Sequence, residues 1–189
     1  DVLDTPLVDL LDTVFRENYP APQQQISRPD GDAAARFGAG MLPVGFKPEN
    51  LNSPVFNYPY ARSREALEAM RKAERWDPCD GLKMQYSNPT TGDHAIPTMG
   101  AFMQLLPKGF DGAPLRTTES AIYCVVEGRG KTVVEDQTIE WGPRDLFVIP
   151  GWRSHRHQAS EDAILFSVSD RPMQTKFGLW REERPGEQG

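Results

Sequence analysis

The residues of this chain with the most chemical potential are its histidines, His94, His155 and His157. His155 and His157 stand one residue apart, so in an extended strand their imidazoles share a face. Neutral imidazole is the commonest side-chain metal ligand. Just before them runs Trp141-Gly142-Pro143-Arg144-Asp145-Leu146-Phe147-Val148-Ile149-Pro150-Gly151. This reads as a strand, a tight turn at Gly142-Pro143 and an apolar strand closed by Pro150-Gly151, after which a further strand carries His155 inward. That is half of a metal cup on a small β-barrel. The other half should be a pair of donors upstream, and there stand Leu115, Arg116 and Thr117. Leu115 has no donor atom, and Thr117 offers only a weak neutral oxygen. His94 could complete a three-histidine site only if its loop, Thr91-Gly92-Asp93-His94, folds over the barrel. Glu119 shares a face with Thr117 in a regular strand and could hold a weak divalent ion with His155, although an exposed rim carboxylate is the simpler expectation.

The elements that must position these groups are short and β-rich. Among 189 residues there are 16 Gly and 17 Pro, an excess that favours many turns over a helix bundle. Eight strands are expected between residues 82 and 169, separated by turns such as Asn88-Pro89, Gly128-Arg129-Gly130 and Glu135-Asp136. The expected fold is all-β, a jelly-roll barrel spanning 81–171, with an N-terminal helical and irregular arm over 1–80 and a tail over 172–189. In the arm, Leu7, Val8, Leu10, Leu11, Val14 and Phe15 recur at helical spacing. Prolines then break residues 20–60, whose aromatic content suits an ordered arm lying across a surface. A second helix is expected from Ser63, as its cap, to Trp76. A short helix is expected within 172–183.

The formal net charge of −6 and the absence of a Lys/Arg block argue against a nucleic-acid partner. The apolar runs are too short for a membrane-spanning helix. Two cysteines, Cys79 and Cys124, are too few for a disulfide scaffold and suit a reducing cytoplasm. Cys124 is expected as a small buried hydrophobe and Cys79 in a partly exposed turn. The chain begins at Asp1 without Met or a leader pattern, as the interior of a longer protein or a processed one would.

The second-motif segment 142–155, and Ala121 to Gly130 with its Glu127-Gly128 turn, are similar to the two motifs of the cupin superfamily. Further phrases narrow this: Asn57-Tyr58-Pro59-Tyr60-Ala61-Arg62, Ala101-Phe102-Met103-Gln104-Leu105-Leu106-Pro107, Leu165-Phe166-Ser167-Val168-Ser169-Asp170-Arg171-Pro172 and Gly178-Leu179-Trp180-Arg181-Glu182. Across residues 1–183 the chain resembles the C-terminal half of the gentisate 1,2-dioxygenase family, bicupin enzymes that also act on salicylate and 1-hydroxy-2-naphthoate. The resemblance implies Fe(II) held by three histidines, usually in the N-terminal barrel, and an aromatic acid that chelates it. It places the family's His-x-His on Leu115 and Thr117, so these and His155 are expected as vestigial metal-site positions. His155 and His157 remain the candidate metal ligands. The expected role is a metal-free half that supports an N-terminal catalytic cupin and builds the oligomer with other subunits. Two alternatives stand beside it. One is a metal-free cupin that binds an aromatic acid through Arg116 and Arg153, with Arg156 nearby. The other is a stand-alone dioxygenase with an atypical metal site.

Overall fold

The structure, a computed structural model, describes residues 32–38, 40–42, 44–47, 51–55, 57–72 and 76–186. The expected helix of residues 1–19 and much of the proline-rich segment lie outside the described residues. Among the described residues the helices are α1 (Asp32–Phe37), α2 (Tyr60–Arg71) and α3 (Arg171–Lys176). The strands are β1 (Leu82–Gln85), β2 (Gly100–Leu106), β3 (Arg116–Thr117), β4 (Ala121–Glu127), β5 (Gly130–Val134), β6 (Gln137–Trp141), β7 (Leu146–Ile149), β8 (His155–Ala159), β9 (Ala163–Ser169) and β10 (Glu182–Glu183).

The strands form a jelly roll. One face is a five-stranded antiparallel sheet in the order β1-β2-β9-β4-β7, and the other a three-stranded sheet β6-β5-β8. A small β10-β3 pair closes one end, and a bridge between Leu115 and His155 continues the second sheet toward it. Alternation along the strands decides what faces inward. In β4 the buried residues are Ala121, Tyr123 and Val125, and in β8 they are His155, His157 and Ala159. Phe147, Trp141 and Leu165 join them in the barrel core. The turn between β4 and β5 demands glycine. Gly128 has φ +81°, and a Cβ there would lie 2.3 Å from the Asp162 carbonyl oxygen.

Helix α2 covers the outer face of the larger sheet. Its Leu67 is fully buried in a second core with Leu82, Met103, Leu105 and Ile164. Two ion-pair contacts rivet it to the barrel: Arg71 forks onto Asp162 at 2.6 and 3.2 Å, and Arg64 and Tyr60 both reach Glu127. The helix starts earlier than the sequence predicts. Its N-cap is Pro59 in an extended conformation with no side-chain cap, and Ser63 Oγ instead accepts from the Tyr86 hydroxyl at 2.9 Å. The extended stretch before it lies on a barrel loop: Ser53 N–H donates to the Ala95 carbonyl at 2.8 Å, and the Tyr58 hydroxyl donates to the Ser87 carbonyl at 2.8 Å. The β3–β10 pair was not expected, because two-residue strands carry no pattern. The short helix expected within 172–183 is α3, which Phe177 and Gly178 end.

Candidate functional site

The site begins on β8. His155 and His157 both point into the barrel, 5.6 Å apart between ring centroids, and are 6% and 1% exposed. His155 Nδ1 lies 3.2 Å from the Arg153 carbonyl. A carbonyl only accepts, so Nδ1 carries the proton and Nε2 keeps its lone pair. His157 Nδ1 lies 2.8 Å from Thr132 Oγ1, which also accepts from Trp141 Nε1–H at 2.9 Å. The ring stands edge-on to Tyr123 and Phe147, at 5.2 and 6.2 Å, and these two rings stack at 5.0 Å. Burial holds both imidazoles below their ordinary pKa; for His157, burial and then the neighbouring His155 push it down to about 3. Both rings are therefore neutral at pH 7.

An amine acts electrostatically on both rings. Lys83, on the inner face of β1, donates to Asp80 Oδ1 at 3.1 Å, and its ammonium lies 5.3 Å from the Phe102 ring centroid. Burial alone would lower the Lys83 pKa, but the oxygens of Tyr123, Asp80 and Glu119 outweigh it and raise it. Asp80 is in turn shifted down: burial opposes this, and the Lys83 charge prevails. Arg184 braces the same carboxylate from outside, 3.5 Å from Asp80 and 2.7 Å from Asp77. Gln104 is fully buried, and its amide donates to the Asp80 carbonyl at 2.6 Å.

The upstream motif positions give this cup no second donor pair. Leu115 is buried and apolar, and Thr117 is buried with only its hydroxyl to offer. Glu119 corrects the expectation of an exposed rim carboxylate. It is 8% exposed and accepts from Ser169 Oγ at 2.5 Å, with Arg171 at 4.0 Å. His94 does not join the other histidines; its ring stands edge-on to Phe102 at 5.8 Å. Among the described residues, no group of three or more His, Cys, Asp or Glu side chains is placed to hold a metal ion. A three-histidine Fe(II) site needs converging neutral donors, and Leu115, Thr117 and a lysine ammonium do not fit that requirement.

The arginines lie apart from the cup's interior. Arg116 pairs with Glu183 at 3.3 Å and sits 5.6 Å from the Trp152 ring centroid. Arg153 is exposed, and Arg156 pairs with Asp111 at 3.2 Å. The barrel mouth is a cleft of about 610 Å³, lined by Lys83, His94, Phe102, Arg171 and Trp180 among others. Arg171, 4.2 Å above the Trp180 ring, was not singled out by the sequence reading; its position after the β9 strand end is the signal that could have marked it. Cys79 is buried and Cys124 half-buried, the reverse of their expected order.

Comparison with known proteins bears directly on this cup. Residues 101–169 match the cupin domain family. Over 184 residues the chain is 55% identical to gentisate 1,2-dioxygenase 1 of Aquipseudomonas alcaligenes, covering 97% of this chain and 53% of that one. This chain is a cupin homologue of the gentisate-type ring-cleaving dioxygenases. It is 35% identical to 5-aminosalicylate 1,2-dioxygenase of a Comamonas species, covering 97% of this chain and 49% of that one. The crystal structure of salicylate 1,2-dioxygenase from Pseudoaminobacter salicylatoxidans superposes with a TM-score of 0.76 at 25% identity, covering 82% of this chain and 44% of that one. The chain thus spans about half the length of the curated relatives it matches. Among the described residues, no helix is long and apolar enough to cross a membrane.

Proposed function

We propose that this chain is the C-terminal, metal-free cupin half of a gentisate-type 1,2-dioxygenase, a scaffold for a catalytic barrel that cleaves a hydroxylated aromatic acid with Fe(II) and O2. The observation that carries this reading is the cup itself: beside His155 and His157 the buried Leu115 and Thr117 add no imidazole, and a lysine ammonium acts electrostatically on both histidines. The match to half of each relative's length supports a second barrel elsewhere in the parent protein.

A scaffold needs a surface for its partner, and the outer face of β4 and β7 supplies one. Ile122 opposes Val148 and Cys124 opposes Leu146 across the edge of the larger sheet. Ile122, Leu146 and Val148 are 50%, 70% and 52% exposed, a contiguous apolar patch that water disfavours. The partner in this reading is the N-terminal cupin or another subunit, in the cytoplasm.

The test is to read the coding sequence upstream of Asp1 and express both pieces. A second barrel with His-x-His is expected there, with iron and gentisate cleavage in the joined protein and neither in this half. Stoichiometric iron and ring cleavage by this half alone would overturn the reading. The cleft at the barrel mouth favours one alternative, a metal-free cupin that binds an aromatic acid, because Arg171 and Trp180 there offer a cation and a ring face. Calorimetry with gentisate distinguishes it: heat lost in Arg171→Ala would support it, and heat absent from the wild type would remove it.

A further inference from the structure

A cup that has lost its metal should retain a void or an unbalanced charge unless something of the chain's own takes the ion's place. Two features of the interior meet that need. The first is Lys83. Its ammonium contacts Asp80 and acts electrostatically on Tyr123, Glu119, His155 and His157, the groups that line the cup from β4, β8 and the loop before β1. A fixed ammonium repels a second cation brought to the same place.

The second feature is a proton relay with a definite direction. Trp141 Nε1–H can only donate, and it donates to Thr132 Oγ1. Thr132 is fully buried, and its hydroxyl has one proton to place. The acceptor within reach is His157 Nδ1. With Nδ1 accepting, the neutral ring carries its proton on Nε2. The opposite tautomer would aim two donors, Trp141 Nε1–H and His157 Nδ1–H, at one oxygen and strand the Thr132 proton. His157 Nε2 is buried without a hydrogen-bond partner, and as an N–H it has no lone pair for a metal. His155, held by a carbonyl, has the opposite tautomer, so the cup contains a single imidazole competent to ligate.

We infer that Lys83 is the resident cation of this barrel and that the Trp141–Thr132 relay holds His157 in the Nε2–H tautomer, so that the cup excludes a divalent ion. The inference rests on the metal-free reading above and gives it a physical cause. Substituting two ligands does not by itself close a cup; here the remaining imidazole and the central charge are also set against a metal.

The experiment is histidine-selective 15N NMR on the purified chain, whose three histidines give a resolvable spectrum. The expected result is a protonated Nε2 and an unprotonated Nδ1 on His157 and the reverse on His155. Thr132→Ser should keep the His157 pattern, and Thr132→Val should mix its tautomers. Added Co2+ should bind no site and leave both signals unbroadened, and a chelator should leave Tm unchanged. Lys83→Met should lower Tm. A metal-free chain with Nδ1–H on His157 would overturn the relay while leaving the metal-free reading intact. Stoichiometric Co2+ with broadened His157 would overturn both. Lys83→Met with the wild-type Tm would overturn the resident cation. Should Thr132→Val fail to fold, the wild-type spectrum decides the tautomer alone.

Discussion

Lowering the pH from 7 to 5 should destabilise this barrel through His157, by roughly 2 kcal/mol. The folded pKa is depressed to about 3, from 6.5 in an unfolded chain. Between those values the unfolded state binds the extra proton, so stability rises with pH across this window. The contribution is fully present above the unfolded pKa and is lost as pH falls toward the folded one. At pH 5 the unfolded imidazole is almost fully protonated and the folded one almost fully neutral. The limiting slope is about 1.4 kcal/mol per pH unit, and integration over the two units, allowing for the curve near 6.5, gives the figure above. His155, also shifted down by burial, acts with the same sign. The carboxylates of Asp80 and Asp162 are shifted down, so their losses fall mainly at lower pH. Urea titrations at pH 7 and pH 5 of the wild type and of His157→Asn isolate the term. The asparagine keeps a polar group for Thr132 but does not titrate, so the variant should lose visibly less stability on acidification. Equal pH dependence in the two proteins would refute the argument, because it would mean that His157 already binds its proton in the folded state.

Leu67→Ala should cost about 2–5 kcal/mol in urea unfolding, because a fully buried side chain leaves a cavity between α2 and the sheet. Gly128→Ala should lower Tm, since the new methyl meets the Asp162 carbonyl oxygen at a φ of +81°; a neutral result would show that the β4–β5 turn can shift. Val148→Lys should change the stability of this half by no more than about 0.5 kcal/mol, as exposed sites usually do. In the joined protein the same change should weaken the association of the two halves, measured by the co-purification of separately expressed pieces.

The fold was legible because its signals are local and repeated. Alternation in β4 and β8, turns with glycine, and the proline-closed run Leu146–Ile149 each require a strand where one is found. The inward direction of His155 and His157 follows from a period of two and needed no tertiary knowledge. What escaped depends on contacts distant in sequence. Glu119 looked like a rim carboxylate, yet Ser169, fifty residues on, gives it a buried partner. The start of α2 was displaced from Ser63 because that hydroxyl meets Tyr86 instead of capping the helix. The tail's β10 is defined only by its pairing with β3.

Lys83 shows the limit most clearly. In the sequence it is a lysine in a short strand beside a leucine, and such lysines usually face water. It is held inward because Asp80, three residues earlier, is itself fixed by the turn that Asp77 builds, accepting from the backbone N–H groups of Cys79 and Asp80 at 2.9 and 2.8 Å. Arg184, from the far end of the chain, then contacts both aspartates. A buried lysine costs several kcal/mol in desolvation unless it is paired, so this turn and this tail are what make an interior amine tolerable. An amine so placed also removes the need for an imported cation to balance Asp80 and Glu119. Lys83 and Asp80 thus give the interior an internal ion pair with neutral imidazoles beside it.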